Sequence, residues 1–465
     1  MKQRILFFFL LILLLGTFLR IYHLDQESLW SDEPHSLHHA QQPTLSQVIQ
    51  DTNQYEFYAP PFYYLLLHYW IEYTGDGLFT IRFFSAIFNI ISIFLVFLIG
   101  KKLFNSKTGL LAALLFSLSI VEILYAQEIR PFAFFSFLVL LSTYSYLHVI
   151  KNKKTLHYLI YFLSSLAMIY TLPFGFLVLF FQNFYLLFNY QTHQNKFKPW
   201  FTTQFLLFLF FIPEIPNTIK MYRQNYLLKL TVLVEKYHFP TILQNHLFTT
   251  FLLLITIIFF LILTFTFRKQ IRQFLKNFNF QKYRSVFLLL LISIGFAYYV
   301  LTPFLTRSIF FTRYTLFIMP FIYLLLAAGI TKLQKPIQFL VILAILLLCV
   351  HTFTIYYPET TKEDWRGTSN FVEQHAQPTD TILLCSWGFA FQYYFTKENK
   401  VISSKSYPTF TKIQSEIQNK NYWLIYSTAH RLTPICQEIL KQNQPQLEQN
   451  FYQMKVLYFT NSQPI

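Results

Sequence analysis

Charged side chains are scarce in this sequence: Asp, Glu, Lys and Arg together make up 12% of its 465 residues, whereas hydrophobic residues make up 54%. A soluble multidomain chain carries more charge, so this composition predicts an integral membrane protein. Cysteine is rare as well. The three cysteines include no Cys-x-x-Cys pair, which argues against a metal site built from thiolates.

Acidic residues are outnumbered by basic ones, 21 to 37. They are also absent from most of the long apolar segments, which have roughly the 20 residues that a bilayer-spanning helix needs. Eleven such segments predict eleven transmembrane helices, at about 5–22, 79–99, 109–125, 131–150, 156–172, 174–190, 200–213, 246–267, 286–304, 312–330 and 336–356.

The distribution of charge predicts how these spans are oriented. With the N-terminus in the cytoplasm, the predicted cytoplasmic segments hold 18 of the 37 basic residues and none of the 21 acids, as the positive-inside bias requires. We therefore attribute the net charge of +16 to orientation in a plasma or bacterial inner membrane and expect no nucleic-acid partner. No small-residue cleavage site follows the first apolar run, which we expect to remain as an uncleaved helix.

Two domains are predicted. Residues 1–357 form a transmembrane domain with two long outer loops, at 23–78 and 214–245, and the first of these loops has helical patterns at 34–49 and 62–73. Residues 358–465 alternate helices with strands and predict a small α/β domain. The predicted strands lie at 381–385, 422–426 and 451–459, and the predicted helices at 365–374, 388–395 and 434–441. Because it follows an odd number of spans, we expect this domain to be extracytoplasmic, where Cys385 and Cys436 could pair.

The acids of the outer side occur beside arginines and aromatic residues. Such carboxylates can take a proton from an attacking hydroxyl or amine, and the arginines can bind a phosphate and stabilise it as it leaves. This pattern predicts transfer of a group from a phosphate. The residues concerned are Trp30, Asp32 and Glu33; Glu56, Pro60, Pro61, Tyr63, Tyr64 and His68; Gln127, Glu128 and Arg130; and Arg307, Arg313 and Tyr314.

Simpler explanations remain open for each of these motifs. Asp32 and Glu33 could serve only as acids at a helix N-terminus, where they favour the helix dipole. Glu128 and Arg130 could form an interfacial ion pair, and Arg313 could extend to the membrane surface as long basic side chains do. Glu56 could be a loop acid without a role.

Several motifs, in order along the chain, resemble those of a known family. They lie at 19–20 (LR), 28–33 (SLWSDE), 60–64 (PPFYY), 82–86 (RFFSA), 109–113 (GLLAA), 126–130 (AQEIR), 313–314 (RY) and 363–366 (EDWR). Together they resemble the C-type glycosyltransferases, specifically glycosyltransferase family 39, the dolichyl-phosphate-mannose protein mannosyltransferase-like group, to which the lipid A 4-amino-arabinose transferases are related.

The resemblance implies the C-type glycosyltransferase fold and an inverting transfer of a sugar from a polyprenyl-phosphate donor. The acceptor would be an extracytoplasmic lipid, protein or glycan. Asp32 would be the catalytic base with Glu33 as its neighbour, and Glu128 would be a second acid of the site. Arg130 and Arg313 would bind the lipid phosphate.

One departure from the family concerns a metal ion. The family often has a histidine in a motif THYFG, where this chain has Thr-Leu-Pro-Phe-Gly at 171–175, so a metal role for that residue is in doubt. A divalent metal could instead be held by Glu33 with His35, His38 and His39, three histidines spaced to share one helix face.

Two other classes of function compete with a glycosyltransferase. A transporter or flippase of lipid-linked sugars is also polytopic, but transporters place polar sites near the midplane between structural repeats. Here the acids cluster on one side, and we find no internal repeat. A scaffold that binds a partner through its outer domain would not need the 32–33 and 127–130 motifs together.

Overall fold

The computed structural model of the chain describes residues 2–30, 32–56, 59–150, 154–188, 197–220, 312–358, 362–386, 388–405, 410–418, 420–429 and 432–460. The predicted spans at 246–267 and 286–304, most of the predicted outer loop at 214–245 and Arg307 lie outside these residues.

Helices make up the described part of the membrane domain. They are α1 (Lys2–Ile21), α2 (Glu33–Ala40), α3 (Leu45–Tyr55), α4 (Phe62–Thr74), α5 (Leu78–Leu103), α6 (Ser106–Ser117), α7 (Ile120–Ala126), α8 (Pro131–Val149), α9 (Thr155–Ile169), α10 (Gly175–Phe188), α11 (Phe197–Phe211), α12 (Met319–Ile330) and α13 (Lys335–Tyr356), with short 3-10 helices at Ile212–Glu214 and Thr312–Ile318.

The predicted apolar spans that fall on described residues coincide with these helices. Five helices of the described ranges are long and apolar enough to cross a membrane, and the bent pair α6–α7 makes a sixth if it counts as one span. α9 and α10 are apolar but shorter. The membrane character is therefore confirmed, while the count of eleven spans stays a prediction.

The predicted span at 109–125 is broken. α6 ends at Ser117 and α7 begins at Ile120, and the two helix axes differ by 60°. The N-terminal part of α6 packs closely against α5. A Cβ atom on Gly109 would lie 2.6 Å from the carbonyl oxygen of Phe97, which is closer than packed atoms approach. This contact holds α6 against α5, and after the bend α7 leads the chain to residues 127–130.

The first outer loop folds as three helices. The single helix predicted at 34–49 is wrong, because α2 ends at Ala40 and α3 starts anew at Leu45. Pro43 lies in the interruption; it has no backbone N–H and disfavours helical geometry in the residue before it. Thr44 then caps α3 by accepting a hydrogen bond from the backbone N–H of Gln47. The helix predicted at 62–73 is confirmed as α4, against which α2 and α3 both pack.

The C-terminal domain is the predicted α/β domain. Its elements are α14 (Trp365–His375), β1 (Thr381–Leu384), α15 (Phe389–Tyr394), β2 (Lys400–Ser403), α16 (Phe410–Ile417), β3 (Tyr422–Ser427), α17 (Pro434–Gln442), β4 (Leu447–Phe451) and β5 (Met454–Phe459). The sheet order is β2-β1-β3-β5-β4; β1 pairs in parallel with β2 and β3, and β5 is antiparallel to β3 and β4.

Each face of this sheet is covered by apolar side chains. One face packs with Trp365 and Val372 of α14, and the other with Ile413 of α16 and Ile439 of α17. On the second face Cys385 and Cys436 form a disulfide, a pairing that the sequence left open. Central strands β1 and β3 are almost wholly buried, which is why their apolar runs were recognisable in the sequence.

Candidate functional site

Glu33 lies in the first turn of α2 and is fully buried. Arg82 of α5 binds it at two points: Nε donates to Oε1 at 2.9 Å and Nη2 donates to Oε2 at 2.7 Å. The backbone N–H of Ile129 also donates to Oε1, at 3.1 Å. Although burial favours the neutral acid, Arg82 and Lys362 outweigh it and lower the pKa of Glu33 to about 2. A carboxylate bound on both oxygens in this way has little capacity to take a proton, which argues against the predicted catalytic role of Glu33.

Asp32 precedes Glu33 but has a different environment. Its carboxylate makes no capping hydrogen bond to α2, although Asp32 lies at the N-terminus of that helix, where an acid favours the helix dipole. The side chain is 25% exposed and forms an ion pair with Arg313. Burial opposes the charged form, but Arg130 and Arg313 outweigh it and hold the pKa of Asp32 below its usual value. Of the two adjacent acids, Asp32 is therefore the accessible anion.

Arg130 and Arg313 meet at one aromatic side chain. Both guanidinium groups lie over the ring of Phe132, at 5.9 Å and 5.8 Å from its centroid, and Tyr314 contacts the same ring edge-on. The aromatic face favours nearby cations and so eases the repulsion between the two arginines. Two hydrogen bonds orient Arg130: its Nη1 donates to the backbone carbonyl of Asp32 and to Oγ of Ser36.

Glu56 makes a further polar contact with the same Arg130 nitrogen. Glu56 Oε2 lies 3.6 Å from Arg130 Nη1 and accepts a hydrogen bond from the Tyr64 hydroxyl at 2.9 Å. His39 lies between this carboxylate and Asp51. Glu56 is therefore part of the site and not an isolated loop acid.

Glu128 is buried a short distance along the chain from Arg130. Its Oε2 makes no hydrogen bond within the part of the chain that the structure describes. Burial is the main cause that raises the pKa of this carboxyl to about 7. A buried acid with such a pKa changes its charge near neutral pH, which is the property expected of a group that exchanges protons.

The C-terminal domain contacts the same cluster. Lys362 Nζ lies 3.6 Å from Glu33 Oε2, and the Tyr394 hydroxyl accepts a hydrogen bond from the backbone N–H of Leu29. The ring of Phe389 stacks on His38 of α2, with centroids 4.4 Å apart. This domain therefore packs against α2 and the residues that precede it, which carry Asp32 and Glu33.

Other predicted site residues have mainly structural contacts. Tyr63 hydrogen-bonds Ser85 of α5, His68 Nδ1 bonds the carbonyl of Ala40, and the Trp30 backbone N–H donates to Glu33. Pro60 and Pro61 are buried where α4 begins. Gln127 donates to carbonyls at the end of α1.

The predicted metal ligands are not brought together. Glu33 is bound by Arg82, whereas His38 and His39 lie beside Asp51. Burial and Arg130 lower the pKa of His35 to about 4, as expected beside cations. Over the described ranges, no group of three or more His, Cys, Asp or Glu side chains could hold a metal ion. The arrangement of Glu33, His35, His38 and His39 therefore does not fit a metal ion.

Arg20 and Arg82 belong to the motifs at 19–20 and 82–86, but the family resemblance assigned no role to either residue. Both side chains are fully buried. Each arginine lies in a predicted apolar span, near the end that adjoins the first outer loop. An arginine in such a segment needs an acceptor within the protein, and this was the signal that could have identified them. No comparable pattern in the sequence distinguishes Phe132 from the many other phenylalanines.

Comparison with known proteins gives a family match for part of the chain. Residues 58–216 match the family model described as dolichyl-phosphate-mannose-protein mannosyltransferase. An uncharacterized protein of Aquifex aeolicus (strain VF5) is 33% identical over 117 residues, which cover 24% of this chain and 23% of that protein.

The fold as a whole is similar to solved structures. ArnT from Cupriavidus metallidurans matches with a TM-score of 0.56 in the apo state (10% identity, covering 99% of this chain and 98% of ArnT). The same protein bound to undecaprenyl phosphate gives 0.56 (11% identity, 97% of both chains). The archaeal oligosaccharyltransferase AglB from Archaeoglobus fulgidus, in complex with an inhibitory peptide and a dolichol-phosphate, gives 0.54 (11% identity, 92% of this chain and 70% of AglB).

Proposed function

We propose that this chain, which has the fold of ArnT and AglB and resembles the mannosyltransferase-like C-type glycosyltransferases, is itself a membrane glycosyltransferase. It moves a sugar from a polyprenyl-phosphate donor to an extracytoplasmic lipid, protein or glycan, with inversion at the anomeric carbon. The observation that carries the proposal is the contact of Asp32 with Arg313, beside Arg130. It combines an accessible carboxylate with two cations suited to a phosphate.

Asp32 is the proposed base. Its carboxylate takes the proton of the acceptor hydroxyl or amine as the acceptor atom bonds to the anomeric carbon from the face opposite the phosphate. The bond between that carbon and the phosphate oxygen breaks, and its electron pair stays with the lipid phosphate. One displacement of this kind inverts the anomeric configuration. A positioned base contributes about 10²–10⁴-fold to the rate.

The arginines are the proposed phosphate ligands. In the described structure Arg313 pairs with Asp32; a bound lipid phosphate offers Arg313 and Arg130 a competing anion with several oxygens. When Arg313 turns to the phosphate, Asp32 loses an ion-pair partner and its pKa rises towards its usual value. Asp32 therefore becomes a stronger base when the donor is bound.

Glu128 and the aromatic residues have supporting roles in this proposal. Glu128 is a second acid near the reacting groups, and Tyr314, Tyr64 and Glu56 line the phosphate side of the site through their contacts with Arg130, Arg313 and Phe132. Glu33 positions α2 rather than touching the substrate.

The proposed orientation places the N-terminus in the cytoplasm and the C-terminal domain outside. Cysteine variants test it directly. In intact cells, an impermeant thiol reagent should label Glu398→Cys, which is exposed in the C-terminal domain, and should not label Thr155→Cys, which is exposed at the start of α9. The opposite pattern would invert the orientation and remove the site from the outer face.

The activity itself is tested in membranes that contain the overproduced protein and a polyprenyl-phosphate donor with a radiolabelled sugar. The proposal predicts that label leaves the donor and appears in another envelope component, and that membranes without the protein show no such transfer. A flippase would instead move intact labelled donor across the bilayer. Label that crosses the membrane while remaining on the donor would overturn the proposal.

A further inference from the structure

The C-terminal end of α1 contacts the end of α6 and the end of α7. At the end of α6, the Arg20 guanidinium donates to the backbone carbonyls of Phe116 and Ser117, each at 3.1 Å. At the end of α7 the contact runs through Gln127, whose Nε2 donates to the backbone carbonyls of Arg20 and Tyr22, at 3.2 Å and 2.9 Å. Residues 20–22 therefore contact the chain both before and after the short helix α7.

Arg20 supplies hydrogen-bond donors at the break between α6 and α7. The last carbonyls of a helix receive no hydrogen bond from within the helix, and an apolar environment supplies no water to satisfy them. Arg20 is fully buried and donates to two of these carbonyls, those of Phe116 and Ser117; the Phe116 carbonyl also accepts from the backbone N–H of Ser119. Its Nη1 also donates to Gly16 of its own helix, which fixes the direction of the side chain.

Asn89 links Arg20 to Glu122 by hydrogen bonds. Arg20 Nε donates to Asn89 Oδ1 at 2.6 Å, and Asn89 Nδ2 donates to Glu122 Oε2 at 2.9 Å. Glu122 belongs to α7, and Ser119 caps that helix by accepting from the Glu122 backbone N–H. The arginine on α1, the amide on α5 and the acid on α7 thus form one buried chain of hydrogen bonds.

The segment that follows α7 carries the candidate site. Glu128 and Arg130 come directly after Gln127, and the Ile129 backbone N–H donates to Glu33. We propose that Arg20 is a positioning residue, which stabilises the break after Ser117 and thereby sets where Glu128 and Arg130 stand. It touches no substrate and acts through α7. The consequence for donor binding rests on the proposed function, whereas the effect on the position of 118–130 does not.

The test is hydrogen exchange measured by mass spectrometry on the purified full chain, in wild type, Arg20→Met and Arg20→Lys. Leu14→Met is the matched control, because Leu14 is on the same helix but 69% exposed. In Arg20→Met, peptides from 118–130 should exchange at least about ten-fold faster, the factor for losing one hydrogen bond to a charged group. Peptides from β3 should be unchanged. Arg20→Lys should give a smaller increase, since one ammonium cannot serve all these acceptors.

Undecaprenyl phosphate binding, measured on the same samples, provides the second readout. The inference predicts weaker binding in Arg20→Met than in Leu14→Met. If wild type itself fails to bind, the proposed function is wrong, but the exchange result still decides the role of Arg20. Unchanged exchange at 118–130 in either Arg20 variant, or an equal increase in every peptide, would overturn the inference. Should Arg20→Met fail to fold, Arg20→Lys carries the same test.

Discussion

The Glu33 carboxylate and the Arg82 guanidinium form a two-point ion pair that is almost completely removed from solvent, with both side chains at most 2% exposed. The pair joins the start of α2 to α5. Arg82 also donates to the backbone carbonyls of Leu24, Glu27 and Ser28. It therefore fixes the loop that presents Asp32.

The Glu33–Arg82 pair predicts a large loss of stability in Glu33→Gln. The substitution leaves a buried guanidinium without its counter-charge, for which losses of about 3–5 kcal/mol are typical. The free energy of unfolding in detergent measures the effect. Glu72→Gln is the matched control, because Glu72 is exposed on α4 and should change stability by about 0.5 kcal/mol or less. Equal stability of the two variants would contradict a structural role for Glu33.

The same pair also predicts a pH dependence. Folding lowers the pKa of Glu33 from 4.5 to about 2, so its contribution to stability is fully present above pH 4.5. It is lost as the pH falls towards 2, because the folded state must then take up a proton that it disfavours. The difference in stability between wild type and Glu33→Gln should therefore shrink between pH 5 and pH 3.

The two arginines beside Phe132 predict that charge alone does not suffice for donor binding. Arg130→Lys and Arg313→Lys keep the charge but lose the guanidinium fork, and each should weaken undecaprenyl phosphate binding by roughly ten-fold or more. Arg366→Lys is the control, since Arg366 donates to the carbonyls of Asp25 and Gln26 at the protein surface. Normal binding by both site variants would contradict a role of Arg130 and Arg313 in binding the lipid phosphate.

The raised pKa of Glu128 predicts that replacing this acid stabilises the protein but lowers its activity. Its pKa is raised to about 7 in the folded protein, so the folded state binds more protons than the unfolded state between pH 4.5 and 7. Stability from this group falls as the pH rises through that window and stays low above it. Glu128→Gln should therefore be more stable than wild type at pH 8, by roughly 1–3 kcal/mol, and similar to it at pH 4.5.

Sugar transfer by Glu128→Gln should fall at pH 8 if this acid serves the site. Thermal unfolding and transfer measured on one preparation at both pH values separate the two effects. A variant that loses stability at pH 8 would show that the Glu128 carboxylate has a stabilising partner, contrary to the environment described here.

The disulfide between Cys385 and Cys436 predicts a stability contribution in the C-terminal domain. The bond links residues 51 positions apart, for which the chain-entropy estimate is about 4 kcal/mol. Cys385→Ala/Cys436→Ala should lose roughly 2–4 kcal/mol, measured by hydrogen exchange of the β1 and β3 amides. Cys349→Ala, outside that domain, should leave these amides unchanged; a matching loss there would show a general effect of cysteine removal.

Local patterns predicted much of the fold. The apolar spans, α4 and the buried strands β1 and β3 were recognisable because their hydrophobic residues are continuous. The short strands β2 and β4 were missed, since β4 is exposed at the sheet edge and carries no apolar run. The break before Ile120 contains neither Gly nor Pro; its signal was the capping pattern of Ser119 with Glu122, hidden inside an apolar segment.

The sequence predicted which residues belong to the candidate site better than it predicted the role of each residue. Asp32 and Glu33 are adjacent and chemically alike, and the sequence could not tell which of them is buried. That difference depends on Arg82, 49 residues further along the chain, and so on tertiary packing. Phe132 between the arginines, and Lys362 beside Glu33, likewise follow from elements that meet only in the folded protein.

The central claim is that Asp32 is the base of a sugar transfer from a polyprenyl-phosphate donor. The most direct measurement compares turnover and donor binding in purified wild type, Asp32→Asn and Asp76→Asn, the last an exposed acid in the same outer loop. The account predicts that Asp32→Asn loses about 10²-fold or more in turnover. Its donor binding should be retained, because Arg313 no longer pairs with a carboxylate and is available to the phosphate. Asp76→Asn should match wild type in both. Near wild-type turnover by Asp32→Asn would contradict the claim and make Glu128 the leading candidate for the base.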